Sequence, residues 1–154
     1  MNKTAKTMLY LLPIILLAIF VYSYFHVSGS EIDGVADISP GCTVTVEKSF
    51  AVYSTKLGSY TLTLEGTDAL RELLLDSSLT RELSYVMQLH DHDQYDLRIE
   101  FPNGHDPLIV EVLGGEYLSV VNRFDGKHLK INTADFKERL EEILNTPALA
   151  VPEA

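Results

Sequence analysis

Tryptophan is absent, and cysteine occurs once, at Cys42. A lone thiol excludes any intrachain disulfide, so packing alone has to stabilise the fold. Beside Val44 and Val46, Cys42 reads as a small buried hydrophobe. Basic residues are scarce: 12 Lys and Arg face 22 Asp and Glu, a formal net charge of −10. Nucleic acid is a poor partner for such a surface, because affinity there comes from neutralising phosphates. Anionic lipid headgroups repel it as well. A cationic ligand or a basic envelope protein suits the sign better. No Gly-x-Ser-x-Gly elbow is present, and Cys42 has no evident base nearby in sequence, so nucleophilic catalysis finds no support. A phosphate loop is missing too. Gly114-Gly115 reads as a hairpin turn and opens no helix.

Charge is also missing from one long run, Met8–Val27, which holds no Asp, Glu, Lys or Arg. A helix of that length covers the roughly 30 Å hydrocarbon core of a bilayer. Tyr10 lies near one end and Tyr22 and Tyr24 near the other, as interfacial aromatics do. Lys3 and Lys6 precede the run. The expectation is a single-pass transmembrane helix over 8–27, a cytoplasmic tip over 1–7 and an extracytoplasmic remainder. A cleaved signal peptide is the competing reading, with Val27-Ser28-Gly29 as the cleavage site, but its apolar core is usually about 7–15 residues. Ser39-Pro40-Gly41-Cys42 resembles the end of a lipobox, yet lies far beyond the apolar run and lacks the usual Leu.

Residues 28–40 read as a short polar linker. The folded domain is expected over 41–145, and a loose tail over 146–154. Cys42–Glu47 alternates at strand period, a break follows near Lys48-Ser49, and Phe50–Ser54 continues the sheet. Leu57-Gly58-Ser59 supplies a turn into a strand at Tyr60–Glu65. A helix starts near Thr67 as N-cap, with Leu70, Leu73 and Leu74 on one face. Leu83–Leu89 alternates as a further strand. Tyr95–Phe101, Leu108–Leu113, Glu116–Val121 and His128–Asn132 are separated by Asn103-Gly104, Gly114-Gly115 and Asp125-Gly126, three hairpin signals. They predict a four-strand meander. A last helix over Thr133–Leu144 carries Phe136, Leu140, Ile143 and Leu144 as a stripe, with Asn132 or Thr133 as cap and Asp135 spaced to pair with Arg139. The fold class is α+β: the N-terminal transmembrane helix, then a curved antiparallel sheet with two amphipathic helices packed on one face.

Two polar groups are candidate sites. His90, His92 and Asp93 combine imidazole and carboxylate in a turn, a ligand set that suits zinc or manganese. The stretch superficially resembles the HxHxDH motif of metallo-β-lactamase-like hydrolases, but Gln94 and Tyr95 stand where that motif needs Asp and His. A solvated turn explains the same residues. The meander also brings His105 and Asp106 toward Asp125 and His128, at the opposite end of the sheet from His90. Glu141-Glu142 reads as surface charge on a helix.

The segments YDLRIEF-PNG, EVLGGEYLSVV and GKHLKINTADFKERLEEIL, within Gly41–Asn145, resemble small extracytoplasmic domains of Gram-positive bacteria tethered by one N-terminal helix or lipid. That resemblance implies a location and a fold; such domains mostly carry no assigned activity. The leading expectation is a membrane-tethered, non-enzymatic binding or interaction domain without a cofactor. The alternatives are a divalent-metal site at the His90–Asp93 turn, possibly hydrolytic in use, and a sensor or accessory subunit of a membrane complex.

Overall fold

A computed structural model of the chain describes residues 3–50, 55–82, 92–121 and 128–153, with side chains from Tyr10 onward. Helix α1 (Lys3–Phe25) runs directly into strand β1 (His26–Ser28) and a 3-10 turn (Gly29–Glu31). Then come β2 (Thr43–Phe50), β3 (Thr55–Leu62), α2 (Leu64–Leu75) and β4 (Ser78–Arg81). β5 (Asp93–Glu100), β6 (Leu108–Leu113), β7 (Tyr117–Val121) and β8 (His128–Ile131) follow, then α3 (Phe136–Asn145) and β9 (Ala150–Pro152). All nine strands form one sheet in the order β1-β4-β8-β7-β6-β5-β2-β3-β9, every pairing antiparallel.

Two features of the expected fold class are corrected. No helix among the described residues is long and apolar enough to cross a membrane. The apolar run does not stay helical to its end: α1 stops at Phe25, and Val27 is a buried core residue of β1, 3% exposed. Among the described residues, moreover, the sheet has nine strands. β5 to β8 are consecutive neighbours inside it, and five more strands extend it on both sides.

Alternation drives the central strands. Val44 and Val46, Tyr95, Leu97 and Ile99, Val110 and Val112, and Leu118 and Val120 share one buried face. Leu70, Leu73 and Leu74 of α2 and Phe136 and Leu140 of α3 complete the same core. Gly104, Gly114 and Gly115 have φ of +74°, +61° and +75° at the hairpin turns, a backbone that side chains resist.

Several local expectations change. Leu57-Gly58-Ser59 makes no turn: Gly58 pairs with Lys48 inside β3, and a bulge at Lys48/Ser49 carries β2 onward to Phe50. The cap of α2 lies four residues before the expected Thr67: Thr63 caps it, its hydroxyl accepting from Gly66 N at 3.1 Å. No side chain caps α3. Thr133 Oγ1 instead accepts from Ser78 N at 3.1 Å, and Asn132 donates to Thr80 Oγ1 at 2.7 Å, so both tie the helix entry to β4. Arg139 pairs with Asp76 of the α2–β4 turn at 3.8 Å. The segment read as a linker packs inward through Ile32, Val35 and Ile38, none more than 2% exposed. Of the segment read as a tail, Ala150–Pro152 forms β9 on the β3 edge. The strand expected at Leu83–Leu89 lies outside the described residues.

Candidate functional site

The densest group of ionisable side chains forms where β2, β5 and α3 meet. Lys48 leaves β2 at the bulge, and its Nζ lies 3.0 Å from Glu141 Oε1 and 3.2 Å from Asp93 Oδ2. The Tyr95 hydroxyl donates to the same Glu141 oxygen at 2.5 Å, and Lys48 Nζ sits 5.3 Å from the Tyr95 ring centroid. Lys137 adds a second cation 3.7 Å from Asp93. Burial alone would push Lys48 down, but its bonds to Glu141 and Asp93 outweigh that and hold its ammonium above the ordinary range. Burial raises Tyr95, and donation to Glu141 raises it further. The Tyr95 and Lys48 bonds hold Glu141 below the ordinary carboxylate range.

All three shifts lead away from neutral pH, so none of these groups is set to pass a proton there. The group is a clamp between helix and sheet. Glu141, lowered on folding, stabilises above its unfolded value and loses that contribution as pH falls through its folded one. Lys48 and Tyr95, raised on folding, stabilise below their unfolded values and lose that at alkaline pH. Urea unfolding should therefore give a flat midpoint from about pH 5 to about pH 9, falling on both sides. Glu141→Gln should shrink the acid-side fall.

The clamp also settles where Asp93 of the first candidate group sits: it is engaged by two lysines. His92 is exposed beside the Gly114 turn, and His90 lies outside the described residues. Among the described residues, no three His, Cys, Asp or Glu side chains converge to hold a metal ion.

The second candidate group is part of a cleft of roughly 670 Å3 at one end of the sheet. The β5–β6 turn contributes Asn103, His105 and Asp106, where Asn103 Oδ1 accepts from His105 N at 3.3 Å. The segment after the 3-10 turn contributes Asp33, Asp37 and Ser39. Phe101 and Pro102 complete the lining. His128 does not line this cleft: it stands across β7 in register with Ser119. Asp125 lies outside the described residues. Asp33 and Asp37 carry no local signal of a site, because they lie in a polar stretch with the composition of a linker. The spacing of Ile32, Val35 and Ile38, three apart in a polar segment, was the signal that this stretch folds back.

The cleft carries three carboxylates, one imidazole and no Lys or Arg. Its chemistry is that of a hydrogen-bond acceptor surface: it disfavours phosphate and suits ammonium or guanidinium groups. Ser39 brings a hydroxyl to the lining, and its Oγ lies 3.8 Å from Cys42 Sγ. No protein-family model, no curated protein and no solved structure matches the chain.

Proposed function

We propose that the chain is a non-enzymatic binding domain tethered to lipid through α1, its folded body presenting the acidic cleft to a cationic ligand or a basic partner. One observation carries the tether. Twelve large hydrophobic side chains from Tyr10 to Tyr24 are 43–72% exposed, and they occupy every face of the helix. A protein partner would need one apolar stripe; a helix apolar all round matches a medium that surrounds it. Burying these half-exposed side chains is worth on the order of 1 kcal/mol each, or about 10 kcal/mol together. The tyrosines at both ends suit an interfacial boundary.

Flotation of the full chain with neutral phospholipid vesicles tests the tether. The chain should rise with the vesicles, and a variant carrying Leu16→Gln, Ile19→Gln and Phe20→Gln should partition at least about tenfold less. A wild-type chain that stays at the bottom of the gradient, self-associated through α1, would contradict the tether.

A further inference from the structure

A second cleft, of roughly 520 Å3, opens at the foot of α1. Tyr22 and Ser23 line it from α1, His26 from β1, Glu31 from the 3-10 turn, Asp76 from the α2–β4 turn and Ser78 from the start of β4. These residues meet because the chain passes from helix to sheet without a linker. β1 pairs with β4, and Gly29 N donates to Ser77 O at 2.8 Å. Arg81 of β4 donates to the Tyr24 carbonyl at 2.8 Å and lies over the Tyr24 ring at 5.0 Å.

Several acceptors line this cleft. The His26 ring stacks on Tyr22 with centroids 3.9 Å apart, and its Nδ1 is 3.1 Å from the Tyr22 carbonyl oxygen. A carbonyl only accepts, so Nδ1 carries the proton, and Nε2 of the neutral ring is an acceptor. Glu31 and Asp76 add carboxylates; Arg139 stands 3.8 Å from Asp76, a loose pair on a carboxylate that is 69% exposed. A primary ammonium has three N–H donors, and this cleft offers three acceptor groups. Ser23 and Ser78, which also line the cleft, carry hydroxyl donors. The cleft begins at the level of Tyr22 and Tyr24, where the apolar surface of α1 ends. In a lipid-seated helix that level is the headgroup layer.

We propose that this cleft takes the headgroup of an ethanolamine-type phospholipid, its ammonium on Glu31, Asp76 and His26 Nε2 and its phosphate on the serine hydroxyls. The proposal rests on the lipid attachment of α1. It gives that attachment a selectivity that apolar burial alone lacks. A choline headgroup has no N–H to donate and is the natural control.

The full chain is floated with neutral vesicles of phosphatidylcholine alone and with vesicles of mixed phosphatidylcholine and phosphatidylethanolamine. Partition should be about tenfold higher with the ethanolamine lipid, the ratio that one well-made charge-assisted contact supplies. Glu31→Gln with Asp76→Asn should bring the two partitions level; both side chains are exposed, and Glu31→Gln alone should halve the preference or more. Excess soluble phosphoethanolamine should abolish the preference. A preference that survives it comes from bilayer packing and would overturn the site. Equal partition of the wild-type chain into both vesicle types would overturn the headgroup site and leave the tether standing. Failure to float with either would overturn the tether and the site with it.

Discussion

Gly29→Ala should destabilise the folded body by about 3 kcal/mol, the upper end of what overpacking costs. A Cβ at this position would lie 1.6 Å from the Leu74 carbonyl oxygen and 2.8 Å from its carbon. Both obstacles are backbone of α2, so no side-chain rotation relieves them. Either the 3-10 turn lifts from α2 or the last turn of α2 distorts. Both responses strain β1, whose pairing with β4 sits one residue away. In a chain of this length the melting temperature should fall by roughly 6–12 °C. Gly104→Ala is the instructive contrast: nothing lies within 4 Å of its Cβ, and only the φ of +74° resists substitution. That change should cost roughly 1–2 kcal/mol, the ordinary left-handed penalty. Scanning calorimetry of the two variants side by side checks both the size and the order.

Tyr95 should show a split between its two halves. Tyr95 is fully buried near the start of β5, while its hydroxyl reaches Glu141. Tyr95→Phe keeps the ring and removes a bond to a charged acceptor, at a cost of about 2 kcal/mol. Tyr95→Ala also opens a cavity in the sheet core and should cost about 4 kcal/mol or more. The intermediate variant tells the two contributions apart. If Tyr95→Phe were neutral, Glu141 would be held by Lys48 alone and the clamp would be an ion pair. Exposed ion pairs contribute only about 0–1 kcal/mol, which would leave α3 held by its apolar stripe. Denaturant midpoints for the two variants at neutral pH resolve the split.

The elements legible in the sequence are those whose signal is local. Asn103-Gly104 and Gly114-Gly115 mark turns because the backbone there needs positive φ, and Tyr95, Leu97 and Ile99 mark a strand because one face of it is buried. The stripe of α3 was equally plain. β1, β4 and β9 are three or four residues long, too short for a period to show. They exist through their partners: β1 through β4, β4 through β8, β9 through β3. The same holds for the capping residues of α3, which tertiary contacts with β4 took over. His105 and Asp106 could be named from the hairpin, but the acids that complete their cleft come from Asp33 and Asp37, some seventy residues earlier. The clamp was invisible for the same reason, since Lys48, Tyr95 and Glu141 share no motif. The end of the apolar run misled most. Composition extends it to Val27, whereas sheet pairing claims His26 and Val27.

Hydrogen exchange across residues 26–38 of the full chain in detergent micelles tests most directly that α1 is built into the sheet with no intervening linker. The amides of Gly29, Val35 and Ile38, bonded to Ser77 O, Ile32 O and Val35 O, should exchange with protection approaching that of the β5–β6 core. Exchange of those amides at the rate of an unstructured peptide, with the β5–β6 amides still protected, would contradict it.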